Sequence, residues 1–191
     1  MRKVVLDDIL GLAGYEKVRQ DFRQRIIALK QKRRVSPGDR VSLVFENRDT
    51  VVFQIQEMLR VERITDLDKI SQEIETYNQL IPDSRELSAT LFLEIEDQAH
   101  LRHELLKFQG IEEAVTLRIG PHCVPARFEM GRSKEDKISA VQYVRFRFDD
   151  QALEAFASGV RTELVIDHQN YRAAVMLQAE TQRSLAEDFT T

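Results

Sequence analysis

The chain has 191 residues, 42% hydrophobic and 31% charged, with one cysteine, Cys123. That is enough for one domain of ordinary size and leaves no partner for an internal disulfide. No apolar run reaches the roughly 18 residues of a membrane span. Met1-Arg2-Lys3-Val4-Val5-Leu6-Asp7-Asp8 turns acidic too early for a signal peptide, so a cytoplasmic protein is expected. The net charge of −4 is uneven: residues 1–40 hold 11 Lys and Arg against 5 Asp and Glu, a segment of +6 on a body of −10. Such a segment can bind an anionic partner, a second copy, or the acidic surface of its own chain.

In chain order, Leu6-Asp7-Asp8 opens a short helix that Gly11 or Gly14 would stop. A helix follows over about Tyr15 to Arg34, with Tyr15, Val18, Phe22, Ile26 and Leu29 on one narrow face. Arg19, Arg23, Lys30 and Arg34 form a stripe beside it. Ser36-Pro37-Gly38-Asp39 reads as a turn. Val41–Glu46 reads as a strand and a helix follows from about Asp49. Its apolar residues form two faces: Val51, Val52, Ile55, Met58 and Leu59 on one, Phe53, Val61 and Ile64 on the other. Both faces are therefore expected to be covered. Thr65 caps a further helix carrying Leu67, Ile70, Ile74 and Tyr77, which Pro82 ends.

Beyond Pro82 the pattern changes. Ser88–Glu96 alternates as a strand, and Asp97 to about Phe108 reads as a helix. Val115–Ile119 and Val124–Phe128 make a hairpin. Ser139–Phe148 alternates, with Gln142, Val144 and Phe146 on one side and Tyr143, Arg145 and Arg147 on the other. Gln151–Ala157 is a short helix. Glu163–Asp167 and Arg172–Leu177 form another hairpin, and a helix over about Glu180 to Asp188 follows. The expected fold is α+β, one domain over residues 1–191. A helical N-terminal part, helix-rich over 1–82, packs on a mostly antiparallel sheet formed largely by the strand-rich 83–191.

The densest group of polar residues lies where the first long strand meets a helix: Glu46, Asn47, Arg48, Gln56, Glu57 and Arg60. Burying a charge costs several kcal/mol unless it is paired, so a partly buried ion-pair network explains this composition. The same residues also fit a small-molecule, small-anion or partner site built from Glu46, Arg48, Glu57 and Arg60, because perturbed ionisable clusters mark functional sites. Glu57 and Arg60, three apart, share a helix face, and at least one is expected to reach Glu46 or Arg48.

Other chemistries have less support. His100 and His103 sit three apart, and His122 adjoins Cys123, but no full zinc ligand set is present. No bound metal or other cofactor is expected. Adjacent residues on a strand face opposite ways, so His122 is poorly placed to activate Cys123. There is no glycine-rich phosphate loop. The Arg19, Arg23, Lys30 and Arg34 stripe is a weak anion-binding candidate. A pI near 5.7 and the lack of interleaved aromatics argue against nucleic acid. The polar turn around His168 is explained by side chains closing their own backbone.

Four segments carry a resemblance. They are Phe45-Glu46-Asn47-Arg48-Asp49-Thr50-Val51-Val52-Phe53-Gln54-Ile55-Gln56-Glu57-Met58-Leu59-Arg60, Glu75-Thr76-Tyr77-Asn78, Glu86-Leu87-Ser88-Ala89-Thr90-Leu91-Phe92, and Asp167-His168 with Tyr171-Arg172-Ala173. Together they resemble a bacterial family of short proteins catalogued as a domain of unknown function, number three thousand five hundred and one. Members are said to lie beside genes for rubrerythrin-like and iron–sulfur oxidoreductase proteins. The resemblance implies a cytoplasmic accessory or interaction protein serving a redox or peroxide-defence enzyme. This chain lacks the cysteine sets that clusters need, so any redox centre would belong to that partner. The alternative is an enzyme or small-anion-binding protein that uses the Glu/Arg cluster.

Overall fold

The computed structural model describes residues 1–129 and 138–190. A 3-10 turn at Leu6–Asp8 precedes α1 (Leu12–Lys32), β1 (Arg34–Val35), β2 (Val41–Glu46), α2 (Arg48–Val61), α3 (Leu67–Asn78) and β3 (Glu86–Leu93). Then come α4 (Leu101–Leu106), β4 (Val115–Ile119), β5 (His122–Phe128), β6 (Val141–Arg147), α5 (Asp150–Ala157), β7 (Thr162–His168), β8 (Tyr171–Met176) and α6 (Ala179–Ala186). The fold is α+β, as expected. β3 to β8 all come from the strand-rich part, and β1 and β2 join them from the helix-rich part.

Some boundaries differ from the sequence reading. Gly11 is the N-cap of α1 and Gly14 lies inside it, so neither stops a helix. Asp66 rather than Thr65 caps α3, accepting from the Lys69 N–H at 3.1 Å. The helix expected from Asp97 is split into a 3-10 turn and α4, because Asp97 caps the turn by accepting from the Ala99 and His100 N–H groups.

The strands form one sheet in the order β1-β2-β3-β6-β5-β4-β7-β8, with every adjacent pair antiparallel. The sheet curls until its edge strands β1 and β8 face each other across a cleft of about 420 Å³ lined by Arg34, Val35, Val175 and Met176. Tyr171 bridges this opening. Its hydroxyl donates to the Pro37 carbonyl at 2.6 Å and accepts from the Arg40 N–H at 3.2 Å. Gly38 sits against that ring with φ +78°, so a Cβ there would meet both strain and the tyrosine hydroxyl.

Pleating gives each strand two rows. The inward rows, among them Leu43, Phe45, Leu87, Leu91, Val144, Phe146, Leu117 and Leu164, form the larger core. Phe156 of α5 and Leu185 of α6 pack against them, with Phe148, Phe156 and Phe189 in edge-to-face contact at 5.1–6.0 Å. The outward row of β2, β3 and β6 faces a second core built by Val51, Val52, Ile55 and Leu59 of α2, Ile74 of α3, and Val4. This explains why β2 is buried on both faces. The second expected face of α2 is covered only in part: Phe53 meets Phe22 of α1 at 5.6 Å, while Val61 is 69% exposed. On α1, Tyr15 and Ile26 are fully buried and Phe22 and Leu29 half-buried, but Val18 is exposed, so the contact line is narrower than expected. Among the described residues no helix is long and apolar enough to cross a membrane.

Candidate functional site

The strand-to-helix junction does not hold one cluster. It holds a set of separate clasps around one carboxylate that is unpaired among the described residues. Asn47 caps α2: its Oδ1 accepts from the Thr50 N–H, and its own N–H donates to Thr50 Oγ1, both at 3.0 Å. Gln56 is buried and grips the N-terminal segment, accepting from the Leu10 N–H at 2.7 Å and donating to the Leu10 carbonyl at 3.1 Å. Arg48 meets Asp8 at 2.6 Å, and its buried Nε finds no hydrogen-bond partner. The Val5 N–H, then Arg48 and Arg2, hold the Asp8 carboxyl down at about 2.

Glu57 and Arg60 do face the same way, toward α1, but neither meets Glu46 or Arg48. Glu57 accepts a two-pronged pair from Arg19 at 2.8 Å on each oxygen and a hydrogen bond from Tyr15 at 2.7 Å. Arg19 holds that carboxyl below the usual range, while burial pushes the Tyr15 phenol up. Arg60 pairs with Glu16 at 2.5 Å. An α-helix turns about 100° per residue, and that turn carries Arg48, Glu57 and Arg60 away from the strand end.

The basic stripe is likewise divided. Arg19 is held by Glu57. Arg23 is exposed on α1. Arg34 leaves the helix for β1 and meets Glu94 at 3.3 Å. The basic N-terminal segment docks largely on its own chain, through Lys3–Asp83, Arg19–Glu57, Lys32–Glu180, Arg33–Asp188 and Arg40–Glu104.

Glu46 remains. It is 6% exposed and accepts from Thr50 Oγ1 at 2.6 Å and Thr90 Oγ1 at 2.7 Å. Thr50 takes the Asn47 N–H as acceptor, and of the two acceptors within reach of its own proton the Glu46 carboxylate, at 2.6 Å, is nearer than the Asn47 carbonyl, at 2.9 Å. Arg33 is the guanidinium that reaches this strand end, but it donates to the Phe45 and Glu46 carbonyls and to Asp188, not to the Glu46 side chain. The Glu46 carboxylate thus has two hydroxyl donors and no ion-pair partner among the described residues.

It lies on the wall of a chamber of about 210 Å³ between the helical layer and the outward sheet face. Lys30, Gln54 and Tyr77 line the helix side, and Thr90, Phe92 and Tyr143 the sheet side. Register builds that second wall, because Thr90 stands opposite Val44 on β2 and opposite Tyr143 on β6. Burial raises the Tyr77 phenol. Leu80 and Tyr143 also line an adjoining open groove of about 630 Å³, where Lys3, Arg127 and Arg145 face Glu75, Asp83 and Glu129. Sequence reasoning reached Glu46 and Lys30 but missed Thr90, Tyr77 and Tyr143. The available signal was the polar outward row Ser88–Thr90 on a strand whose other face is apolar.

The histidines and the cysteine lie elsewhere. His100 is exposed and paired with Asp97 at 2.8 Å, His103 is exposed, and Cys123 is exposed on β5. Buried His168 meets the Gln109 carbonyl at 2.8 Å and accepts from the Asn170 N–H at 3.2 Å, which pins the turn after β7. Among the described residues no group of three or more His, Cys, Asp and Glu side chains is arranged to hold a metal ion.

A curled antiparallel sheet with a helical layer on its outward face, and a small chamber between the two, defines an α+β protein with an interlayer pocket. The chain matches a family described as "protein of unknown function (DUF3501)" over residues 3–189 and belongs to it. No curated protein matches it. It is similar to a solved structure of a protein of unknown function from Burkholderia pseudomallei K96243, at 34% identity and a TM-score of 0.92, covering 98% of this chain and 99% of that one. Three of the four segments that carry the family resemblance supply chamber walls: Glu46, Val51 and Gln54 from the first, Tyr77 from the second, Thr90 and Phe92 from the third.

Proposed function

We propose that this protein binds a small molecule in the Glu46 chamber. The observation that carries this reading is a buried carboxylate, on a cavity wall, with no ion-pair partner among the described residues. Two hydroxyls ease its desolvation but bring no charge, and an unpaired buried charge costs several kcal/mol. A ligand that supplies the missing donors would recover part of that cost. Ionisable groups so placed in a concave pocket mark binding and active sites. At about 210 Å³ the chamber falls below the roughly 300–1,000 Å³ of drug-sized pockets, so the ligand is the size of a small metabolite.

Native mass spectrometry of protein purified from its own host tests this. The wild type should carry a small adduct, and Gln54→Trp, which fills the chamber from α2, should lose it. An adduct kept by Gln54→Trp, or a wild type with none even after exposure to its host's metabolite extract, would overturn the reading.

The accessory role beside a redox or peroxide-defence enzyme, in the cytoplasm, is proposed as the setting in which that ligand is used. It rests on the family resemblance. Affinity capture from the host decides it: a flavin, haem or iron–sulfur enzyme enriched with the wild type supports that setting, and enrichment of none removes it.

A further inference from the structure

Resting on that reading, we propose the class of ligand: a small aliphatic zwitterion, its ammonium group set against Glu46 and its acidic group against Lys30. Two independent features of the wall select positive charge at one end. The first is the Glu46 carboxylate. Each of its oxygens accepts one hydroxyl proton, from Thr50 and from Thr90. A carboxylate offers about four lone-pair positions, so about half of its accepting capacity is left over. An ammonium carries three N–H donors and the missing charge. The second feature is aromatic. Tyr77, Phe92 and Tyr143 line the same chamber, and aromatic faces attract cations electrostatically. The Arg34 guanidinium, outside the chamber, already lies over the Phe92 ring at 5.7 Å, so Tyr77 and Tyr143 are the aromatic residues left for a bound cation.

Lys30 determines the other end. It lines the chamber from α1 and is half-buried. It forms no ion pair with Glu46, nor with any other acid among the described residues. A ligand bearing only an ammonium would leave Lys30 unpaired beside a second positive charge. A ligand bearing only a carboxylate would meet Glu46 as a like charge. A molecule with both groups satisfies both residues, and only a short aliphatic spacer fits the volume.

Three four-carbon probes of nearly equal size separate these cases: 4-aminobutyrate, butylamine and butyrate. They are titrated into the intact protein and followed by amide chemical shifts at Glu46, Thr90 and Tyr143. The expected order of affinity is 4-aminobutyrate, then butylamine, with butyrate not binding. Glu46→Gln should weaken both amine-bearing probes by about tenfold or more, the loss of one charge-assisted pair. Lys30→Met should abolish the advantage of 4-aminobutyrate over butylamine. If Glu46→Gln does not fold, the ranking of the three probes on the wild type still decides. Butyrate binding best, or no loss in Glu46→Gln, would overturn the zwitterion class while leaving a small-molecule site in place. If none of the three shifts those amides in the millimolar range, the zwitterion class falls. The class and the small-molecule reading fall together when the host-purified protein also carries no adduct.

Discussion

Arg33 and Asp188 meet inside the protein although 155 residues separate them. Their side chains are 1% and 4% exposed. Arg33 also donates to the Phe45 carbonyl at 2.9 Å, the Glu46 carbonyl at 3.1 Å and the Ser184 carbonyl at 2.9 Å, so one guanidinium joins the end of β2 to α6. Burial pushes the Asp188 carboxyl up, against the pull of Arg33.

The first prediction tests this clamp. Asp188→Asn leaves a buried cation without its partner and should lower unfolding stability by about 3–5 kcal/mol. Replacing both residues together, as Arg33→Met with Asp188→Leu, should recover much of that loss, because no charge is then stranded. Urea unfolding of the two variants measures it. Equal losses in both would mean the clamp works through its shape rather than its charge.

The second prediction concerns acid. The Glu57 carboxyl is lowered by Arg19, so its contribution is complete above the ordinary Glu value of about 4.3 and is lost as pH falls through the lowered value. Glu57→Gln should therefore be less stable than the wild type at pH 7, by about 1–2 kcal/mol given its partial exposure. The gap should close as pH falls below about 4.3 and through the lowered value. Melting curves across that range check the sign, and a gap that stays constant into acid would refute it.

A third contrast reads the narrow contact line of α1. Ile26 is 1% exposed and Val18 is 42% exposed. Ile26→Ala should cost about 2–5 kcal/mol, and Val18→Ala within about 0.5 kcal/mol. Similar losses at both sites, measured by thermal unfolding, would restore the broad face that the helical spacing alone predicts.

The fourth prediction is a stabilisation. Arg127 and Arg145 stand directly opposite on β5 and β6. Arg145 is held by Glu86 at 2.9 Å and by the Gln79 carbonyl, and Arg127 forms no ion pair with a described residue. Like charges directly opposite on neighbouring strands repel, so Arg127→Glu should raise stability by about 0.2–1 kcal/mol. Differential scanning calorimetry would register this as a rise of a few degrees at most. A fall in melting temperature would show that Arg127 has a role the repulsion does not offset.

How much of this was legible in the sequence depends on the distance over which each feature is determined. The alternation along residues 139–148 placed Tyr143 and Arg145 opposite Val144 and Phe146, because pleating is local. The turn at Ser36–Asp39 followed from its proline and glycine. Glu46 was legible as a carboxylate at the end of an apolar strand. Its company was not: Thr90 and Tyr143 reach it through strand register, which no nearby residue specifies. Arg48, Glu57 and Arg60 were grouped with Glu46 because they are close along the chain, yet the rotation of α2 turns them toward α1 and the N-terminal turn. Arg33 was passed over as one more cation in a basic run, because its burial depends on Asp188.

The strand order carries a consequence for synthesis. β3 lies between β2 and β6, and β6 begins 48 residues after β3 ends. On a ribosome adding about 5–20 residues per second, one edge of β3 stays open for roughly 2–10 s. An open edge is a template for pairing with other chains. Glu86, Ser88 and Thr90 lie along the outward row of that strand, and a charged residue such as Glu86 discourages aggregation at an exposed edge. The row that ends in Thr90 on the chamber wall thus protects the unfinished chain while β6 is still being made.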